Sequence, residues 1–113
     1  MECGAVRVAG LGFRKGTVDF TAALLAAGPV DALATAAEKA QELAAALPGQ
    51  RVIGVEVRGV ETPTQSPRVL ALMGTGSVAE AAALRAAGRG ARLEGPRQVI
   101  GGVTLAVAEG EGE

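Results

Sequence analysis

Ala5-Val6-Arg7-Val8-Ala9-Gly10-Leu11-Gly12-Phe13-Arg14-Lys15-Gly16-Thr17 is the stretch that decides the fold. Val6 and Val8 share one face of an extended segment and Arg7 takes the other, the period-two pattern of a strand. The strand runs straight into a glycine-rich turn. Thr17 stands where a hydroxyl N-cap would open a helix. Phe20, Ala23, Leu24 and Ala27 then recur at i, i+3, i+4, i+7 until Gly28-Pro29 stops the helix. A strand, a glycine turn and a helix make the opening unit of an open α/β sheet.

The same alternation continues downstream. A short apolar strand is expected at residues 30–35. A helix at 38–47 follows, with Ala40, Leu43, Ala44 and Leu47 on one face and Pro48-Gly49 at its end. Residues 51–58 alternate as a strand. Ser66-Pro67 reads as N-cap and first residue of a short helix to Met73. Gly74-Thr75-Gly76 breaks that helix. Ser77-x-x-Glu80 reads as a capping box, each residue satisfying the other's end of a helix at 78–87. Short and longer strands at 91–93 and 103–108 are joined by a connection at 94–102.

The expected fold is a three-layer α/β/α domain over residues 1–108, with a frayed acidic tail at 109–113. Its sheet is expected to be mixed but mostly parallel, with about five strands. The last strand is expected to run antiparallel at an edge, because its connection is too short for a crossover.

Composition narrows the function. Ala (24) and Gly (17) fill over a third of the 113 residues, and the formal net charge is -1, so no broad basic surface is available for nucleic acid or an anionic membrane. The chain has no His, which excludes a Ser-His-Asp triad and imidazole metal ligation. With no Trp or Tyr and two Phe it has no stacking platform for single strands. Lone Cys3 cannot form an internal disulfide and has no obvious activating partner, so it reads as inert and fits a reducing, cytoplasmic setting. No apolar run approaches the roughly 20 residues that span a bilayer. Neither a metal nor a cofactor is expected.

In an open α/β sheet, ligands bind where strand-to-helix loops leave the carboxyl edge. Residues 10–17, 35–39, 58–66 with 74–77, and 95–101 should converge there. They bring Arg14, Lys15, Lys39, Arg58, Arg97 and, just inside the short helix, Arg68. A basic rim on a near-neutral protein points to a small anionic ligand. Backbone amides of Gly12, Gly16, Gly74 and Gly76, and the hydroxyls of Thr17, Thr64, Ser66, Thr75 and Ser77, lie on the same loops. Two other readings stay open. Gly10, Gly12 and Gly16 read equally as residues that permit a tight turn. The first loop also imitates a dinucleotide fingerprint, but with G-x-G-x-x-x-G spacing and Lys15 where a small residue belongs. That leaves a small nucleotide- or phosphate-binding module as an alternative.

The loop Gly10–Thr17, the block Leu33-Ala34-Thr35 with Lys39, and above all RVLALMGTGSVAEAAALRAAGRGARLEGPRQVIGG at residues 68–102 resemble the CobE / CbiG C-terminal domain family of cobalamin biosynthesis. The chain is similar to the stand-alone form of that family. It departs from the family in having Phe13 where Cys is frequent, and in a shorter stretch between Ala36 and Gln50.

The resemblance implies a role in building the corrin ring of vitamin B12. It implies as ligand a precorrin or hydrogenobyrinic-type tetrapyrrole, an apolar macrocycle ringed by carboxylates. Arg14, Lys15, Arg68 and Arg97 would hold those carboxylates, and Phe13 would lie against the ring. It also implies, as an alternative, an enzyme or enzyme subunit similar to the lactone-opening cobalt-precorrin hydrolase. A precorrin methyltransferase is a candidate partner, and self-pairing along residues 103–108 is a further expectation.

Overall fold

The computed structural model describes residues 6–17 and 19–112. The readings of Cys3, of Ala5 as the first strand residue, of Val18 in the first helix and of Glu113 in the tail lie outside the described residues. The elements run β1 (Val6–Gly12), α1 (Thr21–Ala27), β2 (Ala32–Ala36), α2 (Ala37–Ala46), β3 (Val52–Val55), α3 (Pro67–Met73), α4 (Val78–Ala87), β4 (Arg92–Leu93), β5 (Gln98–Ile100) and β6 (Val103–Gly110). They form an open α/β fold around a six-stranded mixed sheet of order β3-β2-β1-β6-β4, with β5 also on β6.

β1, β2 and β3 are mutually parallel, and β6 is antiparallel to β1, β4 and β5. β1 to β5 therefore all point one way and β6 alone runs against them, the mixed sheet with an opposed last strand that was expected. The last strand is antiparallel, as the short connection requires, but it is not at an edge. It pairs with β1 from Val6↔Gly110 to Gly12↔Thr104 and takes β4 and β5 on its other side. This occupies both of its hydrogen-bonding sides, so the expected self-pairing strand is not on offer.

β5 falls in what reads as a connection. Gly101 and Gly102, both at positive φ (59° and 81°), make the tight two-residue turn that folds it back onto β6. The tail is not frayed over its described part. β6 runs through Glu109 and Gly110, after which Glu111 N–H donates to Arg89 carbonyl and Gly112 N–H to Ala87 carbonyl.

The two faces of the sheet are packed differently. One carries Phe20, Ala23, Ala27 and Leu43 of the α1–α2 side against Ala9, Leu11, Leu33, Val103 and Leu105. Large side chains fill that layer. The other carries Val8, Ala34, Ala36 and Ala108 against Ala81, Ala82, Ala83 and Ala87 of α4. Here small residues meet small residues, so α4 lies almost on the strand backbone. A Cβ built on Gly10 would sit 2.0 Å from the Ala79 carbonyl oxygen, and one on Gly110 would sit 2.4 Å from that of Ala87. The alanine and glycine excess is thus the composition of a close helix–sheet contact.

Two caps differ from expectation. α1 begins at Thr21, and the Thr17 hydroxyl donates to the Arg14 carbonyl instead of capping it. Asp19 Oδ1 accepts from Thr21 N–H, which holds the Asp19 carboxyl below its ordinary pKa. At α4, Ser77 Oγ accepts from Glu80 N–H at 3.3 Å, but the Glu80 carboxylate does not return to Ser77.

Glu94, which reads in the sequence as an edge charge, is a bidentate partner of Arg7, at 2.7 and 2.8 Å. The same guanidinium donates to the carbonyls of Ala27 and Pro29, joining β1 to the end of α1 and to the β4–β5 connection. The Arg7 hydrogen bonds hold the Glu94 carboxyl below its usual value. Stability from this pair is fully present above the unfolded glutamate pKa, near 4.3, and is lost as pH falls through the lower folded value. The melting temperature of the wild type is expected to fall more steeply between pH 5 and 3 than that of Glu94→Gln. At pH 7 the variant should lose no more than about 1 kcal/mol, because both side chains are about a third exposed. Parallel melting curves across that pH range would refute the linkage.

Candidate functional site

At the carboxyl ends of β1 and β2, where β6 begins, a cleft of about 650 Å³ opens. Gly12, Phe13, Arg14 and Thr17 line it from the first loop, Thr35 and Ala36 from β2, and Lys39 from the first turn of α2. Arg68, Val69, Leu72 and Met73 line it from α3, and Val78 and Ala79 from the start of α4. Arg97, Val99, Gly101, Gly102 and Thr104 come from the β5–β6 hairpin and its approach. The volume lies in the range of small-molecule pockets.

The lining is cationic and apolar at once. Arg14, Lys39, Arg68 and Arg97 contribute four positive charges, and no Asp or Glu is among the lining residues. Among the described residues, the guanidiniums of Arg14, Arg68 and Arg97 make no ion pair or hydrogen bond within the protein. They are available to an anion. Lys39 is not. Its Nζ donates to the Phe13 carbonyl at 2.5 Å and lies 4.7 Å from the centre of the Phe13 ring. Phe13 in turn meets Phe20 edge-on at 5.1 Å. Lys39 thus fastens the first loop while its charge still faces the cleft. Leu72 and Val99 are 65% and 66% exposed beside the arginines. Apolar side chains left open next to unpaired cations suit a ligand with an apolar body and an anionic periphery.

Of the residues named from sequence, the cleft gathers Gly12, Phe13, Arg14, Thr17, Lys39, Arg68 and Arg97. The others lie outside its lining. Lys15 and Gly16 are exposed at the tip of the first loop, and Gly16 N–H donates to Glu42 at 2.7 Å. Ser66 caps α3 through Val69 N–H. The Gly74 C-cap packs on Arg58, leaving that arginine outside the lining. Thr75 Oγ1 donates to the Val60 carbonyl. Gly76 N-terminal to α4 lies against Thr64 and Gln65, with Ser66 N–H donating to its carbonyl.

Thr64 and Ser77 belong to a buried group around Glu80. The Glu80 carboxylate, on the first turn of α4 and fully buried, accepts from Thr64 N–H, from the Thr64 hydroxyl and from Arg97 N–H, each at 3.0 Å. Residues 62–66 and 74–77 are therefore the support behind the cleft rather than its surface.

The first loop is also poorly disposed to take a phosphate on its amides. Gly16 N–H is held by Glu42 and Thr21 N–H by Asp19, so the protein's own carboxylates occupy two of the amides at that loop and helix start.

Sequence reasoning missed the apolar half of the cleft. Val69, Leu72 and Met73 look like core positions of a short helix, yet α3 has no buried residue at all. That exposure is set by tertiary placement. The signal for Val99, Gly101 and Gly102 was present, since Gly-Gly between two apolar runs is a hairpin mark.

The chain is thus an open α/β domain with a cation-rimmed apolar cleft at the carboxyl edge of its sheet. Residues 7–108 match the family model described as cobalamin synthesis G C-terminus, and the chain belongs to that family. Among solved structures it is similar to CobE, a protein from the cobalamin (vitamin B12) biosynthetic pathway, at 27% identity and a TM-score of 0.65, over 93% of this chain and 90% of that one. It is also similar to the cobalamin biosynthesis protein ChiG of Agrobacterium tumefaciens str. C58, at 36% identity and a TM-score of 0.60, over 91% and 97%. No curated protein gives a match. The chain is a cobalamin biosynthesis protein of the CobE / CbiG C-terminal type. Among the described residues no single helix is long and apolar enough to cross a membrane.

Proposed function

We propose that the cleft binds a precorrin or related corrinoid intermediate and presents it to another enzyme of the pathway in the cytoplasm, a methyltransferase being one candidate. The observation that carries the reading is the lining itself: three guanidiniums without partners among the described residues, sharing the cleft with exposed Leu72 and Val99, with no carboxylate in the lining. A tetrapyrrole of this pathway has the matching form, an apolar ring with acetate and propionate groups at its edge. Family membership supports choosing that class among the many amphipathic anions. The donor set supports holding an anion more than moving protons, since Lys39 is already engaged with Phe13 and the one buried carboxylate nearby, Glu80, accepts three hydrogen bonds.

Three charge-assisted contacts of about 1.5–3 kcal/mol each only offset association costs near 4–15 kcal/mol, so a micromolar dissociation constant, about 8 kcal/mol of net binding, requires the apolar contact with the ring as well. The test is gel filtration of the protein with hydrogenobyrinic acid. With no Trp or Tyr in the chain, the visible bands of the pigment are read against a transparent protein. Coloured protein fractions from which the pigment is recovered at unchanged mass are expected. Colourless fractions would overturn the reading, and a mass change in the recovered pigment would favour the hydrolase alternative.

A further inference from the structure

We propose that Glu80 is a positioning residue of the cleft, fixing where Arg97 presents its guanidinium. The inference rests on the ligand reading above and assigns one element of its specificity. Glu80 does not line the cleft, although Val78 and Ala79 immediately before it do. Its side chain is fully buried, and one carboxylate oxygen takes the backbone N–H of Arg97 while the other takes that of Thr64. Both acceptor atoms are needed because two backbone donors arrive from two separate loops.

A helix cap requires none of this. Ser77 already caps α4 by accepting from Glu80 N–H, so an exposed polar residue would serve at position 80 if capping were the whole role. Burying a carboxylate is costly unless every lone pair it turns inward is met by a donor. Here the donors are the backbone of the segment that carries Arg97. That segment lies between β4 and β5 and is tied at its other end by Glu94 to Arg7. With one anchor at Glu94 and the other at residue 97, the guanidinium is delivered to the cleft from a fixed point.

Glu80→Gln keeps the shape of the side chain but turns one acceptor into a donor, so either Arg97 N–H or Thr64 N–H loses its partner. Glu80→Asp keeps the charge and withdraws it from both loops. Two measurements test the assignment, with circular dichroism confirming that each variant is folded. Without ligand, amide hydrogen exchange at Arg97 is expected to quicken at least tenfold in one or both variants, while the amides of β1 stay protected. With hydrogenobyrinic acid, Glu80→Gln is expected to weaken binding about five- to thirtyfold in the wild-type and Arg68→Ala backgrounds, and less than twofold in Arg97→Ala.

An equal loss in all three backgrounds would make Glu80 a general structural residue and overturn the proposal. So would unchanged exchange at Arg97 in both variants. Failure of the wild type to bind the pigment overturns the ligand reading instead, and the exchange data then judge the positioning role alone.

Discussion

Gly10→Ala is expected to lower the melting temperature by roughly 10–20 °C, the equivalent of about 3 kcal/mol in a domain of this size. The residue lies inside β1, paired with Ala34 on one side and Ala106 on the other. Its α-hydrogens face α4, where an added methyl carbon would meet the Ala79 carbonyl oxygen at 2.0 Å, the Ala83 nitrogen at 2.7 Å and the Ala83 Cβ at 2.9 Å. Two of these three atoms are backbone, so no rotamer change relieves the overlap. α4 has to move off the sheet as a body, and with it go the contacts of Ala81, Ala82, Ala83 and Ala87, all fully buried. Three kcal/mol is a large share of the roughly 5–15 kcal/mol that holds a domain together. Gly12→Ala is the matched control. Its added carbon would find Thr104 Cβ at 3.6 Å as nearest neighbour, an ordinary contact, and its melting temperature should stay within a few degrees of wild type. Equal behaviour of the two variants, read by far-ultraviolet circular dichroism, would show that the close approach of α4 is not what position 10 is for.

Gly10 also marks where sequence reading stops. Glycines at 10, 12 and 16 look alike in the sequence, as parts of one flexible turn. In the fold only Gly16 has a positive φ, while Gly10 and Gly12 are strand residues. The requirement at Gly10 comes from a helix some seventy residues away, and no local pattern encodes it. Local chemistry was legible. Ser66-Pro67 and Ser77 start α3 and α4 where capping places them, and Gly74 and Gly88 end them, because caps depend on neighbours in the chain. The place of β6 was not legible, since a strand's sheet neighbours are chosen by long-range pairing.

The site divides along the same line. Arg14, Lys39, Arg68 and Arg97 meet because the carboxyl edge of a sheet collects loops, a rule that sequence order alone can apply. Lys15 and Arg58 follow the same rule and still fall outside the lining, since side-chain direction is not part of it. Glu80 reads as half of a capping box, and its motif is satisfied by local partners on paper. The loops that claim its carboxylate come from residues 64 and 97, and only the folded chain brings them to it.

Removal of Arg68 and Arg97 together is expected to weaken binding of hydrogenobyrinic acid by about one and a half to three powers of ten, with each single Ala variant losing roughly five- to thirtyfold. The two guanidiniums come from α3 and from the approach to β5, separate elements on the cleft, and neither makes an ion pair or hydrogen bond among the described residues. A charge-assisted hydrogen bond is worth about 1.5–3 kcal/mol, and Arg68 is exposed, so its share is placed at the lower end because water and salt screen it. Arg97 is half-buried and held from behind by Glu80, which places its share at the upper end. Because neither side chain supports the fold, the melting temperature of the double variant without ligand should stay within a few degrees of wild type. Its affinity should also depend less on salt concentration, since two fewer charges meet the ligand. Arg51→Ala, which removes an exposed cation outside the lining, serves as the control and should change affinity less than twofold. If the control and the double variant lose affinity alike, the pigment is drawn by overall charge, and the cleft is not where it binds.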